Sequence, residues 1–161
     1  MAEAAQARGD YLEAARLYRV AVERASDPVT KASLARSEHE AKEQGRATAI
    51  ERARAAEQRQ DFTQAAIEWA RAFDALPTAE TANRAAACFR RAGTDHRRAA
   101  RYGEEAVKLE PTKAAYHVTL ALVYADAGLV LRAKGEIERA AAFDPDGSAV
   151  KEAAARIKAL R

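Results

Sequence analysis

The chain has 161 residues, enough for one domain or one repeat array, and carries 27 Lys and Arg against 24 Asp and Glu. A net charge of +3 drawn from mixed signs gives no bulk argument for nucleic acid, and the single Cys88 excludes an internal disulfide and leans toward a reducing compartment. No run is apolar and long enough to span a membrane, and residues 1–25 lack the apolar core of a signal peptide, so the expected address is the cytoplasm.

Alanine supplies about a quarter of the residues, while glycine, proline and aromatic residues are scarce. Ala, Glu, Arg, Lys and Leu are the best helix formers and little β-branched sequence opposes them, so an all-α fold is expected. In chain order, Gly9-Asp10-Tyr11-Leu12-Glu13-Ala14 reads as a turn opening a helix, with Tyr18 and Ala21 continuing its apolar face. Residues 1–8 are then the end of an earlier helix, and 1–27 is a partial hairpin; a truncated first helix suggests a piece of something longer, or an array that starts irregularly. Asp27-Pro28 is a helix start, with Asp as cap and Pro in the first turn. An extra helix is expected over 28–45, or an extension of the next. No polar loop cluster surrounds Gly45, so one long or kinked helix is predicted to run to about Gln60.

From there a period emerges. Pro77, Pro111 and Pro145 are 34 residues apart; so are Ala65, Ala99 and Ala133, and so are Ala72, Ala106 and Ala140. The clearest unit is 114–145. Tyr116, Leu120, Val123, Tyr124 and Ala127 form one helical stripe. Gly128 turns the chain, Val130, Ala133, Ile137 and Ala140 form a second stripe, and Asp144-Pro145 stops it. Weaker copies occupy 46–77, with Ala53, Phe62, Ala65, Trp69 and Ala72, and 79–111, with Ala86, Phe89, Gly93, Ala99 and Ala106. In the second copy the turn GTDHRRA reads as one residue longer than GLVLRA, and Gly103 stands where Trp69 and Ile137 stand, so less apolar bulk is expected there. Residues 146–161 read as a capping helix with a stripe of Val150, Ala154, Ile157 and Leu160, and with Lys151, Glu152, Arg156, Lys158 and Arg161 facing out.

A 34-residue helix–turn–helix with a small residue in each helix, a turn glycine and a following proline resembles the tetratricopeptide repeat. The resemblance implies a right-handed superhelical α-solenoid that binds other proteins rather than an enzyme. The wording of the last repeat is also similar to repeats appended to bacterial J-domain or signalling proteins, although no His-Pro-Asp is present.

Catalytic chemistry finds little footing. His39, His96 and His117 are the only histidines and show no metal-ligand spacing; Glu38, His39 and Glu43 read as a solvated helix face. His117 reads as a packing or groove residue, Cys88 as a small buried hydrophobe and Trp69 as core. No Gly-rich phosphate loop occurs, and no catalytic residue, metal or cofactor is expected. Basic residues crowd the second repeat: Arg84, Arg90, Arg91, His96, Arg97, Arg98 and Arg101. They read either as a solvated face or as a docking patch for an acidic segment or phosphate, with nucleic acid the weaker option for want of interleaved aromatics.

The resemblance further implies a concave groove lined by the first helices. Aligned on the repeat, its residues are Ile50, Arg54 and Glu57, then Asn83, Ala87 and Arg90 with Arg84, then Val118, Leu122 and Ala125. Apolar at one end and basic in the middle, it suits a peptide or helix with a hydrophobic anchor and acidic residues. Some relatives clamp the terminal carboxylate of chaperone tails with Lys and Asn; this chain has Ile50, Glu51 and Arg54 at the leading positions and only Asn83 and Arg84 as a partial match, so that clamp is not expected. The rival reading is self-association through the irregular N-terminal helices.

Overall fold

The computed structural model describes residues 1–160, and all its regular structure among them is helical: α1 (Ala2–Ala7), α2 (Tyr11–Arg24), α3 (Pro28–Gln58), α4 (Phe62–Ala75), α5 (Ala79–Ala92), α6 (His96–Leu109), α7 (Ala114–Asp126), α8 (Val130–Phe143) and α9 (Ser148–Lys158). Local polar chemistry sets the starts. Asp27, Asp61 and Asp95 each accept a hydrogen bond from the backbone N–H three residues on, at 2.7, 3.0 and 2.9 Å. Thr78 does the same for Thr81 at 3.2 Å. Each bond satisfies a donor that a helix start otherwise leaves open.

Four hairpins result, α1–α2, α3–α4, α5–α6 and α7–α8, and each turn carries one left-handed residue: Gly9 (φ 76°), Gln60 (φ 59°), Gly93 (φ 67°) and Gly128 (φ 75°). The α5–α6 turn is not the longer one that its sequence suggests. Residues 93–95 and 127–129 are connections of equal length. Only the glycine moves: Gly93 itself caps α5, whereas Ala127 caps α7 and Gly128 follows it. Gln60 holds the left-handed position with a side chain, where an L-residue is strained.

The hairpins close along seams of alanine. Ala65, Ala99 and Ala133, and likewise Ala72, Ala106 and Ala140, are all fully buried. Between these seams Trp69, Tyr102 and Ile137 fill the core. Gly103 is not a weak point. A Cβ there would lie 2.9 Å from Leu120 Cδ1, so α7 leans its own leucine into the space. Beside it Tyr102 stacks on Phe89 at 5.9 Å and meets the edge of Phe73 at 5.6 Å.

The helix α3 runs for 31 residues, about 46 Å, with Gly45 inside it rather than at a break. Its buried stripe is all small: Ala41, Gly45, Ala49, Ala53 and Ala56. A Cβ on Gly45 would meet Tyr11 Cβ at 3.3 Å, so this glycine marks where α2 crosses closest. The N-terminal part of α3 takes an Arg19–Glu38 bond from α2 at 3.1 Å, and its C-terminal part packs on α4. At the other end α9 covers α7 and α8 with Val150, Ala153 and Ile157. Ala154 and Leu160 are only half-buried, and Arg156 bonds Asp126 rather than simply facing water. Arg161 lies outside the described residues.

One polar cluster lies inside the last hairpin. His117 places Nδ1 2.7 Å from Glu136 Oε2 and Nε2 2.8 Å from the Pro111 carbonyl. A carbonyl only accepts, so Nε2 is the donor there. Arg139 completes the cluster on Glu136 Oε1, and α7, α8 and the preceding loop are tied together.

Overpacking these contacts tests the fold. Ala133→Leu and Gly103→Ile should each cost about 1–3 kcal/mol in chemical denaturation, the second by displacing Leu120. Gln60→Gly should stabilise by about 0.5–1 kcal/mol through relief of the left-handed backbone, and an unchanged midpoint would show that residue to be unstrained.

Candidate partner-binding surface

The first helices of successive hairpins lie side by side, and ion pairs bridge them. Glu57 of α3 faces Arg84 of α5 at 3.8 Å, Arg90 of α5 bonds Asp126 of α7 at 3.2 Å, and Asp126 also receives Arg156 of α9. Glu57 is the busiest group: its Oε1 accepts the Trp69 indole N–H and the Cys88 thiol, both at 3.2 Å. Arg84 lies over the Trp69 ring at 5.7 Å. Ile50 and Arg54 of α3, with Trp69 and Thr81, line a cleft of about 310 Å³. Arg46, Glu80 and Glu110 reach it from the sides, so its rim carries both signs.

Of the residues expected in the groove, Arg54 and Arg84 are exposed, and Ile50, Glu57 and Leu122 are partly so. Val118 and Ala125 are buried. In α5 the strict 34-residue offset from Ile50, Arg54 and Glu57 selects Arg84, Cys88 and Arg91, one residue on from Asn83, Ala87 and Arg90. The contacts follow the strict offset, because Arg84 and Cys88 are the α5 residues that reach Glu57. Asn83 is turned inward: its Oδ1 is buried, and no hydrogen-bond partner among the described residues reaches it. Arg90 is three-quarters buried in its bond to Asp126, and its Nε is likewise buried and unpartnered among the described residues. The Arg90–Asp126 and Cys88–Glu57 bonds were missed in the sequence because each is a contact between repeats, and the Trp69–Glu57 bond because it joins the two helices of one hairpin.

Solved structures supply the comparison. No protein-family model and no curated protein matches the sequence. The second TPR domain of human RPAP3, solved with HSP70 peptide SGPTIEEVD, matches at TM-score 0.66 and 14% identity over 73% of this chain and 98% of that one. The first TPR of Spaghetti (RPAP3), bound to HSP90 peptide SRMEEVD, matches at TM-score 0.64 and 16% identity over 71% of this chain and 91% of that one. The TPR domain of P58(IPK) matches at TM-score 0.60 and 16% identity, covering 99% of this chain and 44% of that chain. The fold is that of a tetratricopeptide-repeat solenoid.

Within this TPR solenoid the arginines do not form one field. Arg91 lies on the Phe62 ring at 3.8 Å, Arg98 on Phe89 at 4.4 Å and Arg101 on Tyr102 at 4.7 Å. Arg97 and Arg101 line a separate cleft of about 400 Å³ with Tyr124, Leu129 and Arg132, and Arg90 is not part of it. Among the described residues no group of three or more His, Cys, Asp or Glu side chains is placed to hold a metal ion. His39 stands 3.9 Å from Glu43 on an exposed face, and Glu38 is taken by Arg19 and Lys42.

Burial, reinforced by Glu57, pushes the Cys88 thiol up to about 12. Burial and the hydrogen bond to Glu104 push the Tyr124 phenol up to about 12 as well. Both groups are raised above their ordinary values, so their contribution is complete at neutral pH and is lost as pH rises through the folded values. Stability should therefore hold to about pH 9 and fall between there and about 12. Cys88→Ala combined with Tyr124→Phe should flatten that alkaline limb, and the thiol of the folded wild type should resist alkylation until denaturant is added.

Proposed function

We propose that this chain is a protein-interaction scaffold that holds a peptide or helix of a partner along the face made by α3, α5, α7 and α9. The observation that carries the reading is the cleft beside Ile50 and Trp69, with the exposed guanidiniums of Arg54 and Arg84 next to it. Two solved neighbours of the same fold hold HSP70 and HSP90 peptides. In this chain an apolar anchor fits the Ile50–Trp69 cleft, and acidic residues fit Arg54 and Arg84. Ile50, Glu51 and Arg54 stand where a tail clamp needs Lys and Asn, so the partner segment is an internal acidic and apolar one rather than a terminal carboxylate.

The double variant Arg54→Ala, Arg84→Ala should lose the partner that wild type captures from the native cell extract, while its stability changes by less than about 0.5 kcal/mol. Capture at wild-type strength would place the site elsewhere. The peptide SRMEEVD should bind no more tightly than its scrambled form.

A second reading, self-association, is favoured by one feature. Leu17, Tyr18, Val20 and Leu34 line an apolar cleft of about 650 Å³ between α2 and the start of α3, and Val29 nearby is 78% exposed. A second copy seated there would make light-scattering mass rise with concentration; a constant monomer mass would remove this reading.

A further inference from the structure

Some arginines are left uncommitted by the contacts above. Arg97, Ala100, Arg101 and Glu104 fall at i, i+3, i+4 and i+7 and so share one face of α6. That face is one wall of the cleft of about 400 Å³, and the end of α7 and the start of α8 supply the other. Arg97, Arg101 and Arg132 are all exposed there. Among the described residues only Arg101 of the three has an acidic partner, Asp74 at 3.8 Å, and both of those side chains are 59% exposed. Glu104 is the one carboxylate among the described residues that lines the cleft, and its Oε1 already accepts the Tyr124 hydroxyl at 2.6 Å.

This wall belongs to one junction of the array. One period before Arg97 and Arg101 stand Thr63 and Ile67, and one period after them stand Leu131 and Gly135. The facing turn differs as well. Asp10, Asp61 and Asp95 precede α2, α4 and α6, but the residue before α8 is Leu129, 43% exposed. An acid is thus missing close to Arg132, and an apolar side chain stands in its place. With Ala100, Ala127 and Tyr124 it gives the cleft an apolar lining between its guanidiniums.

We infer that this cleft is a second docking site, for an acidic segment of a partner protein that carries an apolar side chain between its carboxylates. Charge complementarity names the occupant: three exposed guanidiniums around one engaged carboxylate call for more than one acid. A simple anion would leave Leu129 and Ala127 uncovered. A nucleic-acid strand would find no open ring to stack on, since Tyr124 is buried. The site lies apart from the face made by α3, α5, α7 and α9, since none of Ile50, Arg54 and Arg84 lines it. The chain then offers two separate surfaces, one on the first helices and one reached from α6 and α8.

The probe is the end-blocked peptide EELEE, titrated at low salt into the isotope-labelled full chain and followed through the backbone amides of Ala100, Ala127 and Leu129. Saturable shifts are expected at all three. The double variant Arg97→Glu, Arg132→Glu should weaken binding there about tenfold or more. The double variant Arg54→Ala, Arg84→Ala, which alters only the other face, should leave it within about twofold. The peptide EEGEE, without the apolar side chain, should bind wild type about threefold more weakly or worse. An oligothymidylate of the same charge should bind more weakly than EELEE. Absence of saturable shifts at these amides overturns the proposal, and so does their loss in the Arg54, Arg84 variant, which would put the peptide on the other face. Equal binding of EELEE and EEGEE also overturns it, by reducing the cleft to a charge attraction, and tighter binding of the oligothymidylate gives the cleft to nucleic acid instead. The ligand comparisons use wild type and stand even if the charge-reversed chain does not fold.

Discussion

Everything in this molecule depends on how closely its helices approach. The six seam alanines from Ala65 to Ala140 have no exposed surface, and a methyl group is the largest side chain that such a contact accepts. Alanine also loses almost no side-chain entropy when buried, so a chain with few large apolar residues can still gain from packing. Cohesion is spread along many small contacts. Bulk enters only at chosen points, through Trp69, Tyr102, Ile137 and the intruding Leu120. The close seams hold the hairpins in register, which sets α3, α5, α7 and α9 side by side and brings Glu57, Arg84, Arg90 and Asp126 within reach of one another.

What could be read from the chain divides along the range of the interaction. Periodic features were legible: the 34-residue spacing of proline and alanine carried the hairpins, and the missing loop cluster around Gly45 carried the long α3. Features that need a second helix were not. Gly103 looks like a loss of bulk until Leu120 is seen beside it. On α5 the strict 34-residue offset stands one residue on from Asn83, Ala87 and Arg90, which on a helix is a rotation of about 100°. That is enough to exchange outward Arg84 for inward Asn83. The paired Glu68–Arg71 and Glu136–Arg139 were present at two periods, but a search for apolar repeats passes over charged ones.

The arginines teach a related lesson about charge. Counted along the chain they form a basic block; in space most of them are committed. Arg90 is held by Asp126, Arg84 leans toward Glu57 over Trp69, and Arg91 and Arg98 lie flat on phenylalanine rings. Guanidinium groups stacked on aromatic faces keep their in-plane donors pointing outward in fixed directions. Such an arrangement discriminates by geometry at short range, where salt screens least, instead of by a diffuse potential.

The unbroken α3 has a mechanical meaning. Repeat arrays commonly fray from their ends, because each unit meets only its neighbours and a loop marks where one can peel from the next. Here the N-terminal hairpin joins the rest through a short loop at residues 25–27, and beyond it α3 runs unbroken from Pro28 to Gln58. Peeling away α1 and α2 would strip the small-residue stripe on one half of that rod while the other half remained clamped by α4. One rod thus serves two hairpins, and loosening the first exposes a face of a helix that the second still holds.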